Sequence, residues 1–373
     1  MKTNLHLDYW STMTPHPLRA HAKPTFDPVA FENSVPGKNE AELRKIFRQY
    51  PNDPMNPEVI RYWAEMGVRK ELFDSDEEEG RHEYTVFTPM KMEPGKKYAL
   101  VYVARGGGDP LNKAETYGFC HLVNLQKFIC VCAWNNGEIL TEFPRILGEI
   151  QKKGYAVDTG RLYAVGYSAG AGAVSRLAVD CPGLLAAVSP NPGSNIFRHG
   201  VRRFDKKTLE KCAEHRLPVV FAGGTMDGGD AWPLDSEAAF EIFNYWMKNI
   251  SKVENYKPMS MKESARLQDA SGTDVVKRVF GLDFQTTHID YQEEICWYVG
   301  NYYGKDEAPA ARFISAEGVP HTMTKFHSIF IWNYLKMFSR DPVTQESVYD
   351  PDAQNGMRDA DKTEEIQDGK KKK

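Results

Sequence analysis

Seven short runs of apolar and β-branched residues recur along the chain, at 83–88, 98–104, 128–133, 161–167, 185–189, 218–222 and 311–316. Each has the length of a strand and is bounded by polar or turn-forming residues. Helical spacing falls between them. In 139–153 the apolar positions are Ile139, Leu140, Phe143, Ile146, Leu147 and Ile150, and a second amphipathic set covers 235–248. Strands that alternate with amphipathic helices predict an α/β domain built on a mostly parallel central sheet flanked by helices.

The rhythm has margins and interruptions. Residues 1–80 are rich in proline and charge, with helical patterns near 40–50 and 57–73, and read as an N-terminal extension packed on the main domain. The acidic run 74–79 closes it as a solvated loop. The main domain is expected over 81–340, with cap-like insertions at 194–216 and 251–310. The second insertion carries Tyr256, Phe280, Phe284, Tyr291, Trp297, Tyr298, Tyr302 and Tyr303. Two readings stand for these rings: a small core of their own, or the lining of a pocket. Residues 341–373 turn polar, end in four lysines and read as a flexible tail.

Composition narrows the function. With 373 residues and 41% hydrophobic content the chain can bury a large core, and its formal net charge of −4 offers no broad basic footprint for nucleic acid. No run of about 18 apolar residues is present, so no membrane span is expected. The first residues lack the apolar stretch of a signal peptide, which predicts a cytoplasmic protein, or a secreted one if a leader has been trimmed. Cysteines stand at 120, 130, 132, 181, 212 and 296 without a C-x-x-C, so they read as buried free thiols, with no zinc-like spacing and no metal expected. In a strand, Cys130 and Cys132 point to one face.

The chemistry concentrates at Leu162-Tyr163-Ala164-Val165-Gly166-Tyr167-Ser168-Ala169-Gly170, a strand-like run that delivers Ser168 inside a G-x-S-x-G frame. A tight strand-to-helix turn of this kind holds the serine strained and exposed, and places the Ala169 N–H where an oxyanion would form. A serine hydroxyl needs a histidine to take its proton and a carboxylate to orient that histidine, in the order Ser, acid, His for such sheets. Asp227 follows the run 217–222 in the turn Gly223-Gly224-Thr225-Met226-Asp227, with Asp230 as fallback and an ordinary turn-capping aspartate as the plain alternative. His321 follows the run 311–316 through Glu317-Gly318-Val319-Pro320 and precedes an amphipathic helix over 324–338. His327, inside that helix, reads as a packed or surface histidine. The second oxyanion donor is expected in Arg105-Gly106-Gly107-Gly108-Asp109 after the run 98–104, with Gly106 and Gly107 as candidates. That loop has neither G-K-[ST] nor G-x-G-x-x-G, so nucleotide binding is not expected.

These residues resemble the α/β-hydrolase esterases that include poly(3-hydroxybutyrate) depolymerase-like and feruloyl or acetyl xylan esterase-like (carbohydrate esterase) enzymes. The resemblance spans about 83–340. It is carried by Val157-Asp158-Thr159-Gly160-Arg161-Leu162-Tyr163 leading into the serine frame, by Leu184-Leu185-Ala186-Ala187-Val188-Ser189-Pro190, by Gly224-Thr225-Met226-Asp227 and by Gly318-Val319-Pro320-His321. Arg105 stands where the family often has histidine, and Ala171 replaces a common glycine. The resemblance implies an α/β-hydrolase fold with Ser168, Asp227 and His321 as nucleophile, acid and base. It implies a cofactor-free hydrolase of carboxylic esters, acting on a small-molecule or polymer-linked ester substrate. A serine peptidase on the same fold and a non-catalytic binding protein are the alternatives; nothing in the sequence sets an oligomeric state.

Overall fold

The computed structural model describes residues 42–43, 45–50, 53–74, 83–107, 111–134, 138–193, 196–197, 204–225, 227, 234, 236–292, 295–319 and 321–360. In chain order its elements are α1 (Pro57–Glu65), β1 (Val68–Phe73), β2 (Tyr84–Pro89), β3 (Lys96–Ala104), a 3₁₀ segment (Leu111–Tyr117), α2 (Phe119–Gln126) and β4 (Ile129–Ala133). Next come α3 (Ile139–Lys152), β5 (Val157–Ser168), α4 (Ala169–Asp180), β6 (Ala187–Gly193), α5 (Lys206–Cys212), β7 (Val219–Gly224) and α6 (Glu237–Tyr245). After a π turn (Trp246–Ile250) follow α7 (Met261–Asp269), α8 (Val275–Phe280), β8 (Thr286–Gln292), β9 (Ile295–Tyr303), β10 (Pro309–Ala316), α9 (Lys325–Leu335), β11 (Phe338–Arg340), β12 (Ser347–Tyr349) and β13 (Met357–Asp359).

The sheet runs β1-β2-β4-β3-β5-β6-β7-β10-β9-β8. From β4 to β10 neighbouring strands are parallel, while β2 joins β4 antiparallel. Alternation along β3 divides the core: Tyr98, Leu100, Tyr102 and Ala104 enter the apolar layer shared with α3 and α4. Ala99, Val101 and Val103 enter the layer beneath α1, α2 and α9. A sheet covered on both faces explains strands that are buried at every position.

The margins differ from the sequence expectation. The pattern over 57–73 is not one helix: α1 stops at Glu65, Gly67 turns the chain at φ 71°, and 68–73 pairs antiparallel with β2 as β1. Within 251–310, β8 and β9 extend the sheet beyond β10 by antiparallel pairing. Phe280, Phe284 and Tyr302 pack around Phe313 of β10, so these rings belong to core packing. Residues 341–360 are not a loose tail. Met357–Asp359 pairs with Lys96–Tyr98 of β3, Arg358 Nη2 donates to Asp158 at 2.6 Å, and Arg161 Nη2 donates to the Gly356 carbonyl at 2.8 Å. Residues 1–41, the acidic run from 75 and residues 361–373 lie outside the described residues. No helix among the described residues is long and apolar enough to cross a membrane.

Candidate active site

Ser168 is the last residue of β5 and sits at φ 54°, ψ −118°, a backbone conformation that L side chains avoid. The two glycines of its frame are steric necessities. A Cβ on Gly166 would lie 2.3 Å from the Gly170 carbonyl oxygen, and one on Gly170 would lie 2.2 Å from the Ala104 carbonyl oxygen at the end of β3. The frame therefore folds the Ser168 turn onto itself and onto the glycine loop that follows β3. Ala169, at the start of α4, is exposed beside Gly107, and a Cβ added to Gly107 would lie 3.2 Å from the Ala169 Cβ.

Asp227 and His321 are brought together. The His321 Nδ1 lies 2.9 and 3.0 Å from the two Asp227 carboxylate oxygens, with Asp227 fully buried. Parallel pairing of β7 with β10, ending at Gly224 opposite Ala316, brings the two loops side by side. They are then cross-linked: the Thr225 N–H donates to the Ala316 carbonyl at 2.9 Å, and the Gly318 N–H donates to the Thr225 hydroxyl at 2.8 Å. The imidazole also packs against Tyr167, the residue before the serine, with ring centroids 4.8 Å apart. The ends of β5, β7 and β10 share one edge of the sheet because those strands are linked by parallel pairings. Ligand and catalytic groups in open α/β sheets gather at that edge.

The alternatives fall elsewhere. Asp230 lies outside the described residues. His327 is wholly buried and caps its own helix: the Thr324 N–H donates to Nδ1 at 3.2 Å, and Nε2 faces the Gly223 carbonyl at 3.4 Å. Burial pushes its pKa down to about 4, so it is a neutral structural group.

In the glycine loop, the Gly106 N–H donates to the Tyr117 hydroxyl at 3.0 Å, which commits it to the protein interior. Gly107 is exposed toward Ala169. Gly108 lies outside the described residues. Arg105 turns away from histidine-like duty: its Nε donates to the Trp134 carbonyl at 2.9 Å and its guanidinium stacks on the Trp134 ring at 4.6 Å.

The cysteines are free, as the sequence suggests. Cys130 and Cys132 do share a face, and Cys120 of α2 meets them there, its sulfur 3.9 and 4.0 Å away. These three thiols are the described residues' one cluster with metal-ligand proximity. All are buried in an apolar layer, which pushes the Cys120 and Cys130 thiols well up, and Glu115 beside Cys130 adds to the latter. Cys132 goes the other way: burial pushes its thiol up, but hydrogen bonds from Cys120 and Cys130 outweigh this and draw it down to about 5, so the cluster holds one low and two raised thiols. Spacing along the chain gave no signal for Cys120 because the contact crosses from helix to strand.

By strand order, and by a strained serine at the strand-to-helix turn next to the central glycine loop, the chain has the α/β-hydrolase fold. No family model matches the sequence, and no curated protein matches it. Among solved structures it is similar to an acetyl xylan esterase from Aspergillus awamori, at 12% identity and TM-score 0.46, over 71% of this chain and 98% of that one. It is also similar to a ferulic acid esterase, at 18% identity and TM-score 0.35, over 49% and 85% of the two chains. A third is the feruloyl esterase module from Clostridium thermocellum complexed with sinapinate, at 13% identity and TM-score 0.35, over 51% and 75%.

Proposed function

We propose that this chain is a serine hydrolase that cleaves carboxylic esters through an acyl-enzyme. The observation that carries the reading is the buried Asp227–His321 pair, 2.9 Å apart, at the same sheet edge as the strained Ser168. With Nδ1 donating to Asp227, His321 accepts at Nε2 and can take the Ser168 proton. The serine oxygen then attacks the ester carbonyl. The oxyanion is held by the N–H groups of Ala169 and Gly107, the first at the N-terminus of α4, where backbone N–H groups and the helix dipole favour negative charge. His321 returns the proton to the leaving alcohol, and a water, activated by the same imidazole, frees the acid.

The test needs no knowledge of the natural substrate. The purified protein, Ser168→Ala and His321→Ala are exposed to a fluorophosphonate probe and the adduct is located by peptide mass spectrometry. Labelling at Ser168 that disappears in Ser168→Ala and weakens by orders of magnitude in His321→Ala is expected. An unlabelled, folded wild type would sink the proposal. Side-by-side turnover of a small ester and a short peptide then separates esterase from peptidase.

A further inference from the structure

Two buried tyrosines link the parts of this site in a single line. Tyr167 precedes Ser168; its ring packs, tilted by 30°, against the His321 imidazole with centroids 4.8 Å apart, and its hydroxyl donates to the His321 backbone carbonyl at 2.7 Å. Its ring also meets that of Tyr117, 4.9 Å away between ring centroids. The Tyr117 hydroxyl accepts the Gly106 N–H at 3.0 Å, and the Tyr117 carbonyl accepts the Ser328 hydroxyl at 2.6 Å from α9. The base, the residue beside the nucleophile and the glycine loop are thus joined through two side chains that are 4% and 2% exposed.

Neither tyrosine is needed to fill space alone. A phenylalanine would fill the core at either position, yet each hydroxyl reaches a backbone atom of a site loop. Both hydroxyls act on irregular chain: Gly106 lies in the loop after β3, and His321 lies between β10 and α9. We propose that Tyr117 and Tyr167 act as positioning residues, a clamp that holds the base loop and the oxyanion loop in register with the nucleophile strand. The proposal rests on the serine-hydrolase reading. Tyr167 acts in two separable ways. Its hydroxyl fixes the backbone of His321, and its ring face, within about 6 Å of the imidazole, favours the imidazolium that forms when Ser168 is deprotonated. The Asp227 carboxylate faces the other part of the same ring, at Nδ1. Tyr117 acts on the other loop, where its hydroxyl holds Gly106 and thereby fixes the adjoining Gly107, which abuts Ala169.

The variants Tyr167→Phe, Tyr167→Leu and Tyr117→Phe separate these roles in the full chain. Three quantities are read: kcat and KM for a small ester, the acid limb of kcat/KM against pH, and the His321 imidazole titration by NMR. Tyr167→Phe should lower kcat about tenfold at unchanged KM and leave the acid limb in place, because a small misplacement of the base is felt in the chemical step. Tyr167→Leu should add a downward shift of about half a pH unit in both the acid limb and the NMR titration. Tyr117→Phe should lower kcat with neither shift. Residues that merely filled the core would change thermal stability without moving the acid limb or splitting kcat from KM. Folded variants with wild-type kcat and wild-type His321 titration would overturn the clamp. An inert, unlabelled wild type fails the hydrolase reading instead, and the NMR shift in Tyr167→Leu then still decides whether Tyr167 acts on the imidazole.

Discussion

Gly224 is the last residue of β7, three positions before Asp227, and it abuts the loop that carries His321. Replacing it with alanine puts a Cβ 1.8 Å from the Val319 carbonyl oxygen, 2.5 Å from its carbonyl carbon and 2.9 Å from its Cβ. The first two atoms are backbone, so no flexible side-chain end can swing aside. Real Cβ contacts essentially never fall below 3.0 Å, so strand and loop must part by at least 1.2 Å. That movement acts directly across the Thr225–Gly318 link and the Asp227–His321 pair. A 2.9 Å hydrogen bond stretched by this much ceases to be one. Misplacement on the order of 1 Å costs about 100-fold in rate, and overpacking of this kind costs about 1–3 kcal/mol in stability. The assay is the rate of fluorophosphonate labelling at Ser168, measured beside a denaturant melt. Gly148→Ala in α3 is the control, since its Cβ meets nothing within 4 Å, and it should stabilise by up to about 1 kcal/mol without changing the rate. A folded Gly224→Ala protein labelled at the wild-type rate would refute the argument that this glycine sets the distance between Asp227 and His321.

Acidification should weaken the fold. Burial pushes the pKa of His121 down to about 3 and that of His327 down to about 4, whereas both titrate near 6.5 when unfolded. As pH falls below about 6.5 the unfolded chain takes up protons that the folded chain refuses, so stability drops by up to about 5 and 3 kcal/mol respectively. Glu115, which burial pushes up to about 7, runs the other way, its contribution being lost as pH rises from 4.5 to 7. Urea melts of wild type and His327→Gln between pH 7 and 4 isolate the His327 part, which should vanish in the variant. Asp158→Ala removes the buried partner of Arg161 (2.7 Å) and Arg358 (2.6 Å), and should cost about 3–5 kcal/mol in a denaturant melt. Glu65→Gln, which breaks an exposed pair with Arg61 at 4.0 Å, should cost under about 1 kcal/mol. A water-soluble thiol reagent should modify half-buried Cys181 first and reach Cys120, Cys130 and Cys132 only on unfolding, as mass spectrometry of timed samples would register.

The seven apolar runs mark seven strands of the sheet, because a strand buried on both faces must be apolar almost throughout, and that constraint is local. That Ser168 sits at a strained strand end and that Asp227 meets His321 were legible for a similar reason: each follows such a run within a few residues, so strand ends predict their company. What escaped was non-local. Arg69, Lys70 and Glu71 look like a continued helix surface, and 68–73 becomes β1 only because the free edge of β2 accepts it. Three residues at 357–359 are too few to announce a strand, and Arg358 finds Asp158 across 200 positions. The β-rich run Cys296-Trp297-Tyr298-Val299 did carry a usable signal, masked by the abundance of aromatic residues on either side of it. That Gly106 spends its N–H on Tyr117 could not be read from glycines alone.

The strand pair β8–β9 has a bearing on how the site breathes. Because β10 pairs with β9 on one side and β7 on the other, the strand that leads to His321 is interior to the sheet. Sheet edges fray first, and here the fraying falls to β8, two strands removed. Amide hydrogen exchange on β10 therefore reports openings close to global unfolding, while β8 exchanges through small local ones. The loop that carries His321 is thus expected to hang from a slowly opening strand, with fluctuations at the sheet's outer margin dissipated before they reach it.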